Sequence, residues 1–288
     1  MLFLIVNPTS GGGRGAKIGK LVRDSLHARN KTFEEIHSSS AESAQSALSD
    51  LIDRNILNEG VDAVIVVGGD GMMNIAMQAL AETGIPLLPI SAGTGNDFVR
   101  TLGIPFGIPA LDLLDKAPIR VDLGKVNQRY FGNILSTGFD SLVNERANRM
   151  KIQHRVKYNL AMILELPLFQ PKMYRFKVDQ KTFESEAMLI AIGNGRSYGG
   201  GMLVTPEADL HDNLLDLMVL APVSKPEFLR VFPKVYRGAH ISHPKVKIMR
   251  GSKIEVLSDA VAYADGERVG DLPIIAQSVA NALLTWTA

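Results

Sequence analysis

Three glycine-rich turns carry the residue types that bind phosphate. They are NPTSGGGRG at residues 7–15, GGDGMMN at 68–74 and SAGTGNDF at 91–98. Glycine lets the backbone approach a ligand closely, and successive amides at the start of a helix favour an anion. One such turn is weak support, because tight turns share this composition and the G-x-G-x-x-A match beginning at Gly11 is a common pattern. Three turns within one short region indicate a phosphate site.

The second turn places Asp70 between glycines, directly after an apolar run. A carboxylate beside a phosphate is repulsive unless a cation lies between them. We therefore expect Asp70 to hold Mg²⁺ against the phosphates of a nucleotide, and Asp97 of the third turn is a second candidate for this task. Asp97 also suits the start of a helix. The chain has no Walker A motif, because Ala16 interrupts the Gly-Lys pair that the motif requires.

A second acidic motif, Asp265-Gly266-Glu267, joins two strand-like runs near the end of the chain. An Asp-Gly pair is also an ordinary hairpin turn, and this interpretation stays open. In the functional interpretation, Glu267 is a general base. It removes the proton from a substrate hydroxyl as that oxygen attacks a γ-phosphorus in line, and Asp265 positions the metal or the base.

Other polar motifs favour no second chemistry. GRSYG matches the G-x-S-x-G pattern of hydrolases around Ser197, but the residues that follow do not resemble the helix that this motif needs. The acidic run PEADLHDNLLD, at 206–216, lacks the glycine and final glutamate of an EF-hand, and a solvated turn is its plain alternative. His240 and His243 are interpreted as surface residues near a turn.

Composition limits the function classes. The chain has 288 residues, a net charge of +1, 46% hydrophobic residues and no cysteine. Disulfides and thiolate metal sites are excluded, and the charge gives no indication of a nucleic-acid partner. No apolar run approaches the ~18 residues of a membrane span, and the first residues lack the basic region of a signal peptide. We expect a cytoplasmic protein whose membrane contact is peripheral.

Strands and helices alternate through residues 1–122, with apolar strands predicted near 2–6, 62–69 and 85–91 and helices near 16–30, 41–56 and 72–83. This pattern predicts an α/β domain with a parallel sheet, whose ligands bind beyond the carboxyl ends of the strands. Residues 123–288 alternate apolar and polar positions, which predicts a β-rich, sandwich-like domain. Helices are expected at 144–166 and 225–238, and the last ~12 residues are candidates to pack back on the first domain.

A basic segment, residues 225–250, holds seven Lys or Arg residues and one acid, Glu227. Aromatic and aliphatic side chains interleave with these charges. The segment is either an amphipathic helix packed on its own domain or a patch attracted to anionic lipid headgroups. Residues 148–157 form a second candidate patch.

Seven motifs occur in one order across nearly the whole chain. They are NPTSGGGRG, VVGGDG, PISAGTGNDFVRTLGIP, STGFDSLV, GNGRSYGGGM, TPEADLHDNLLD and YADGERV. Together they resemble the bacterial diacylglycerol kinase and lipid kinase family, which is related to sphingosine and ceramide kinases. GGDG alone is shared with NAD kinases and phosphofructokinases, whereas SAGTGND before LGIP and the distal DGE are more specific. The resemblance implies a nucleotide-binding α/β domain, a β-sandwich, and an active site in a cleft.

The resemblance also implies roles for particular residues. Nucleotide contacts fall on Asn7, Ser10, Gly11, Ser38, Gly69, Asp70, Gly71, Thr94, Asn96 and Asp97. Catalysis falls on Glu267, Asp265 and Asp70. A structural Mg²⁺ site falls on Asp209, Asp212 and Leu214, the first and last through backbone carbonyls. Two positions depart from the family pattern: Met72 replaces the usual threonine, and Asn213 replaces a frequent glycine.

The expected function is a kinase that uses ATP and Mg²⁺ to phosphorylate a lipid hydroxyl. Diacylglycerol is the leading substrate, which would give phosphatidic acid. A membrane lipid is thus the expected partner, no nucleic acid is expected, and a homodimer is left open. Two alternatives stay open: a soluble-metabolite kinase of the NAD kinase type, and a non-catalytic nucleotide- or lipid-binding homologue, which Met72 would favour.

Overall fold

The computed structural model describes residues 1–37, 41–53, 56–150 and 156–288. These residues form two compact units. The first comprises Met1–Leu123 together with Ala280–Ala288, and the second comprises Gly124–Val279. The first boundary therefore falls beside the predicted one at residue 122.

The first unit is built on a parallel sheet. Its elements are β1 (Leu2–Val6), α1 (Ser10–Ala28), β2 (Phe33–Ile36), α2 (Ala41–Asp53), β3 (Ala63–Gly68), α3 (Asp70–Leu80), β4 (Leu87–Ser91), α4 (Asp97–Thr101) and a 3-10 helix (Ile108–Asp115). The strand order is β2-β1-β3-β4, and every pair is parallel. All residues of β3 and β4 are buried, as continuously apolar strands of a covered parallel sheet require. The predicted α/β class is confirmed.

Two helices of this unit, α1 and α3, begin earlier than predicted, whereas α2 begins at the predicted residue 41. α1 begins at Ser10, and its first turn is irregular because Gly11, Gly12 and Gly13 all have φ between 59° and 94°. α3 begins at Asp70, so this carboxylate lies in the first helical turn. The first turns of α1 and α3 are rich in glycine and polar residues and have no apolar periodicity. The spacing of apolar residues therefore located only the later turns of these two helices.

The second unit is mainly antiparallel β-structure. Its elements are β5 (Ile119–Val126, which begins in the first unit), β6 (Arg129–Phe131), β7 (Ile134–Gly138), α5 (Phe139–Arg149), α6 (Val156–Glu165), β8 (Lys172–Val178), β9 (Lys181–Ala187), β10 (Leu189–Gly193), β11 (Leu215–Leu220), α7 (Lys225–Val231), two 3-10 helices (Phe232–Arg237 and Ala239–Ser242), β12 (Val246–Gly251), β13 (Lys253–Leu257), β14 (Val261–Ala264), β15 (Glu267–Asp271) and β16 (Ile274–Thr285, which ends in the first unit).

Two sheets of this unit enclose its core. One has the order β12-β11-β10-β7-β14-β15, and in the other β8 lies between β9 and β13, which pairs with β16. Buried side chains from both sheets, including Leu135, Phe176 and Val256, form one hydrophobic cluster. A second cluster covers the opposite face of the six-stranded sheet and includes Phe139 of α5 and Phe228 of α7. The predicted β-sandwich is confirmed.

Both predicted helices of this unit needed correction. The segment expected to be helical at 144–166 covers the second half of α5, which begins earlier at Phe139, and all of α6, and residues 151–155 between them lie outside the described part. The segment at 225–238 is α-helical only to Val231 and continues as a 3-10 helix. Pro233 lies at the start of this 3-10 helix, and proline has no N–H to continue the α-helical ladder.

The last residues of the chain pack on the first unit. Thr285 pairs in parallel with Leu87, and its Oγ1 donates a hydrogen bond to the Leu87 carbonyl at 2.7 Å. Trp286 is buried, and its Nε1 donates to the Lys116 carbonyl at 2.9 Å. Within the described ranges, no helix has the length and apolar character needed to cross a bilayer.

Candidate functional site

The three glycine-rich turns meet at one end of the parallel sheet. β1, β3 and β4 are neighbours that run in the same direction, so the turns that follow them emerge side by side. A Cβ built on Gly93 would lie 2.5 Å from the Cα of Gly69, closer than real Cβ contacts allow. The second and third turns therefore touch through their backbones, and glycine permits the approach.

The first turn is held to the third by Arg14. Its Nη2 donates a hydrogen bond to the Gly93 carbonyl at 2.7 Å, and its Nε donates to the Gly11 carbonyl at 3.2 Å. Within the turn, the Asn7 Oδ1 accepts from the amide and the hydroxyl of Thr9, at 3.1 and 2.8 Å. The sequence analysis did not identify Arg14. The sequence feature that could have identified Arg14 is its position inside a glycine-rich turn, where backbone carbonyls are accessible to a guanidinium group.

Asp70 anchors the third turn. One carboxylate oxygen accepts a hydrogen bond from the Asn96 amide at 2.8 Å, and the other accepts from the Asp97 amide at 2.7 Å. Asn96 has a left-handed φ of 55° and closes the turn through its own amide group, which exchanges two 3.0 Å hydrogen bonds with Gly93. Asp70 and Asp97, predicted to share one cation, are thus brought together by the structure, with Asn96 between the two turns.

Gly95 lies against two carboxylates. A Cβ built on Gly95 would lie 2.4 Å from Asp70 Oδ2 and 3.3 Å from Asp97 Oδ2. A side chain at this position would therefore clash with Asp70, and glycine lets the backbone lie close to oxygens of two carboxylates. Carboxylate oxygens are the ligands that Mg²⁺ prefers in proteins, and each keeps a further lone pair while it accepts an amide. These residues are compatible with a metal–nucleotide site, whose occupancy stays a prediction.

The remaining predicted nucleotide contacts differ in exposure. Gly71 and Thr94 are exposed, whereas Ser10, Gly11 and Gly69 are half-buried. Ser38 lies outside the described residues. Met72, which replaces the usual threonine, is buried, and its Cβ and Cγ lie directly beside Gly68. The side chain at this position packs inside the unit, so the missing hydroxyl is replaced by a core contact.

The Asp265-Gly266-Glu267 motif forms a two-residue hairpin turn. Ala264 of β14 pairs with Glu267 of β15, and the two residues between them both have positive φ, 48° for Asp265 and 87° for Gly266. Positive φ at both central residues is the type I′ arrangement, which matches the twist of antiparallel strands. The hairpin interpretation is confirmed, and it leaves the functional interpretation open, because a turn tip also presents side chains.

The two carboxylates of this motif have different environments. Asp265 Oδ2 accepts a hydrogen bond from the Gly132 amide at 2.8 Å, and its Oδ1 accepts from the Asn133 and Ile134 amides, both at 3.1 Å. Asp265 thereby fixes the hairpin to the start of β7. The Glu267 side chain is exposed, and among the described residues its carboxylate makes no hydrogen bond or ion pair. Asp265 is therefore suited to positioning and Glu267 to contact with a substrate.

The acidic turn at 206–216 pairs its carboxylates with basic side chains. Asp209 Oδ1 lies 3.1 Å from His211 Nδ1, which lowers the pKa of Asp209. Arg250 donates to Asp212 and Asp216, both at 2.5 Å, and Asp212 also accepts from the Leu214 amide. Across the described ranges, no group of three or more His, Cys, Asp or Glu is arranged to hold a metal ion. Magnesium at Asp209, Asp212 and Leu214 stays a prediction.

Two further sequence interpretations are resolved by the structure. No helix follows Ser197, which is buried, so the nucleophile-elbow geometry is absent from this described segment. The interpretation of His240 as a surface residue was wrong. His240 is buried, its Nε2 lies 3.0 Å from the Val204 carbonyl, and burial lowers its pKa. A short 3-10 helix turns this ring inward, which polarity alone did not indicate.

The sequence analysis also missed a half-buried carboxylate that accepts three side-chain hydrogen bonds in the second unit. Asp140, at the start of α5, accepts hydrogen bonds from Ser136 Oγ at 2.5 Å and from Tyr198 OH at 2.8 Å. Asn144 Nδ2 donates to it at 3.2 Å. Burial raises the pKa of Asp140 despite these three donors. The cluster joins β7, α5 and the loop after β10.

Comparison with known proteins gives consistent matches along the chain. Residues 1–126 match the family model of the diacylglycerol kinase catalytic domain, and residues 133–286 match the YegS C-terminal NAD kinase beta sandwich-like domain. A diacylglycerol kinase of Mycobacterium tuberculosis (strain ATCC 25618 / H37Rv) is 38% identical over 290 residues, covering 97% of this chain and 92% of the relative. A diacylglycerol kinase of Bacillus subtilis (strain 168) is 33% identical over 221 residues, covering 74% and 73%.

Solved structures support the same fold. A diacylglycerol kinase structure from Bacillus anthracis str. Sterne aligns with a TM-score of 0.76 at 21% identity, covering 100% of this chain and 96% of that one. A second chain from the same organism aligns with a TM-score of 0.82 at 23% identity, with coverage of 100% and 95%. The family models, the relatives and the fold agree, and the chain belongs to the diacylglycerol kinase family.

Proposed function

We propose that this protein is an ATP-dependent lipid kinase that transfers the γ-phosphoryl group to the free hydroxyl of diacylglycerol, giving phosphatidic acid. Membership in the diacylglycerol kinase family supports the reaction class, and so do the substrates in the names of its relatives. The single observation that carries the proposal is the Asp70 carboxylate, which holds the third glycine turn beside the second and, with Asp97, lies close to Gly95.

Under this proposal, the first unit binds ATP through backbone amides of the three turns. Asp70 and Asp97 would hold Mg²⁺, which neutralises charge on the phosphate oxygens. The amides of a glycine-rich turn beside the start of α3 favour an anion, so the phosphates would lie at this end of the helix. The protein would accelerate the reaction mainly by orienting the reactants, because phosphoryl transfer requires little covalent catalysis.

The second unit would supply the base. Glu267 removes the proton of the lipid hydroxyl, the hydroxyl oxygen forms a bond to the γ-phosphorus, and the bond from that phosphorus to the β–γ bridging oxygen breaks, releasing ADP. Asp265 acts as a positioning residue, because its three amide hydrogen bonds fix the hairpin that carries Glu267. The proposal requires that Glu267 reaches the phosphate bound by the first unit during turnover.

The test is transfer of labelled γ-phosphate from ATP to lipids in mixed micelles. We expect phosphatidic acid from diacylglycerol with the unchanged protein, and a loss of at least about 100-fold in kcat for Glu267→Gln. Glu186→Gln removes another exposed carboxylate, from β9, and is the control, expected to keep the full rate. A Glu267→Gln variant that keeps the full rate would show that the base is wrongly assigned.

The match to an NAD kinase-like sandwich makes a soluble-metabolite kinase the second candidate. It predicts phosphorylation of NAD without detergent or vesicles, and the same label assay with NAD measures this directly. A non-catalytic homologue predicts ATP binding with no labelled product from any lipid or from NAD. Either result would replace the proposed function.

A further inference from the structure

The second unit exposes large apolar side chains around α6 and α7. Ile163 and Leu164 of α6 are 58% and 43% exposed, and Leu168, just after this helix, is 73% exposed. Leu229 of α7 and Tyr236 of the following 3-10 helix are about half exposed. Scattered apolar residues are normal on a protein surface, whereas a contiguous apolar patch indicates an interaction site. Contacts between the segments that carry these residues indicate that they belong to one surface.

Buried aromatic rings connect the two helices beneath these residues. Phe139 makes edge-on contacts with Phe169 and Phe228, each with ring centroids 5.2 Å apart. Phe228 then stacks on Phe232 at 5.8 Å, and Phe232 contacts Tyr236 at 6.4 Å. Leu168 and Leu229 are the direct chain neighbours of two of these rings, Phe169 and Phe228.

A hydrogen bond also connects α7 to the segment that follows α6. Lys225 Nζ, at the start of α7, donates a hydrogen bond to the carbonyl of Pro167, next to Leu168. The end of α6 and the start of α7 are therefore adjacent. We name this the α6–α7 surface, defined by Ile163, Leu168, Leu229, Arg230, Lys234 and Tyr236.

The charges around the α6–α7 surface are positive. Arg230, Lys234 and Arg237 are exposed, and in the described part of the chain none of them takes part in an ion pair. The acids of these two helices are engaged elsewhere: Glu165 pairs with Arg146, while Glu227 caps α7 at Ser224 and lies 3.3 Å from His243. Apolar side chains are thus flanked by uncompensated cations, the pattern of an interfacial helix on anionic lipid.

We propose that the α6–α7 surface is the membrane-docking face of the second unit and binds anionic bilayers. This inference rests on the proposed function, because diacylglycerol stays in the bilayer and its kinase must reach it there. A second copy of the chain is a poorer occupant. A two-fold interface would place the same cations of both copies against each other, with no acids to pair them. Anionic headgroups pair with the cations, and the acyl region accepts the apolar side chains.

The test is co-sedimentation with vesicles of phosphatidylcholine alone or with about 30 mol % phosphatidylglycerol. We expect binding to the anionic vesicles that falls at least about tenfold in affinity for the double variant Leu168→Ser/Leu229→Ser and also for Arg230→Gln/Lys234→Gln. The controls are Leu257→Ser/Ile275→Ser, which removes two exposed apolar residues of β13 and β16, and Lys20→Gln/Lys181→Gln, which removes the same charge. Both controls are expected to bind as the unchanged protein does.

Three results would overturn the docking proposal: unchanged vesicle affinity in both surface variants, equal losses in the controls, or a change from dimer to monomer in sedimentation of the surface variants without lipid. Thermal unfolding of each variant establishes that it is folded. A water-soluble, short-chain diacylglycerol separates the two proposals, because the surface variants are expected to phosphorylate it at the unchanged rate. If the protein docks through this surface but phosphorylates no lipid, the proposed function fails and the docking face stands.

Discussion

The Asp70 carboxylate accepts a hydrogen bond from the Asp97 amide at 2.7 Å, and this contact joins the first turn of α3 to the first turn of α4. The two acids suspected of sharing a cation are thus also linked through the protein backbone. Asp70 consequently has a structural role that exists without any nucleotide. Substitutions here affect both stability and binding, and the variants below are chosen to separate the two effects.

Asp70→Asn should loosen the third turn. Both carboxylate oxygens accept backbone amides, and an asparagine would present an NH₂ group to one of them. We expect the free energy of unfolding to fall by about 1–3 kcal/mol and hydrogen exchange to rise at Asn96 and Asp97. Asp53→Asn, on the exposed side of α2, is the control and should leave both unchanged. Unchanged exchange in Asp70→Asn would contradict the anchoring role.

Gly95→Ala should be costly for a purely steric reason. Its φ is not in the left-handed region, but the added Cβ would lie 2.4 Å from Asp70 Oδ2, so the carboxylate proposed to hold the cation would have to move. We expect at least about a tenfold loss of ATP affinity in the presence of Mg²⁺, measured by calorimetry. Gly71→Ala is the stability control: its Cβ meets no atom within 4 Å, and alanine in α3 should stabilise by up to about 1 kcal/mol.

Substitutions of Asp265 and Glu267 should have different effects on the free energy of unfolding. Asp265→Asn loses part of an acceptor that serves three amides, so we expect the unfolding free energy to fall by about 1–3 kcal/mol. Glu267→Gln alters an exposed side chain and should leave it within about 0.5 kcal/mol of the unchanged protein. Urea unfolding of both variants measures this contrast. Equal stability losses would mean that Glu267 has a structural role as well.

Met72→Thr restores the residue common in the family but should not improve function. The side chain is buried against Gly68, so the shorter threonine leaves a cavity and buries a hydroxyl. We expect a loss of about 1–3 kcal/mol in unfolding free energy and no gain in ATP affinity. A tenfold gain in affinity, measured by calorimetry, would show that the threonine hydroxyl reaches the nucleotide and that Met72 weakens the site.

His240 should make stability depend on pH below neutrality. Burial lowers its pKa in the folded state, so the unfolded chain binds the proton first as the pH falls. The stabilising contribution is complete above the ordinary pKa of about 6.5 and is lost as the pH falls below it, by up to about 1.4 kcal/mol per pH unit until the folded-state pKa is reached. The stability of His240→Gln, measured by thermal unfolding at pH 7.5 and 5.5, should depend less on pH than that of the unchanged protein. Parallel curves would contradict this assignment.

Much of the fold followed from local patterns. The apolar runs of β1, β3 and β4 and the alternating strands of the second unit were predictable, because the period of hydrophobic residues reflects how each element is buried. The positions of the three glycine turns and of the Asp265-Gly266 hairpin were also readable, because these conformations demand particular residues. The first residues of the helices could not be predicted, and neither could the change from α-helix to 3-10 helix after Val231. Helix caps and 3-10 turns leave little hydrophobic periodicity in the sequence.

The sequence alone determined which residues could do chemistry and in which turns they lie. The tertiary structure decided what those residues contact: Asp70 binds amides 26 and 27 positions away, and Asp265 binds amides more than 130 positions away. It also decided that Met72 and His240 are buried and that Leu168 and Leu229 are exposed. Burial and hydrogen-bond partners depend on which distant segments pack together, and no local spacing contains that information.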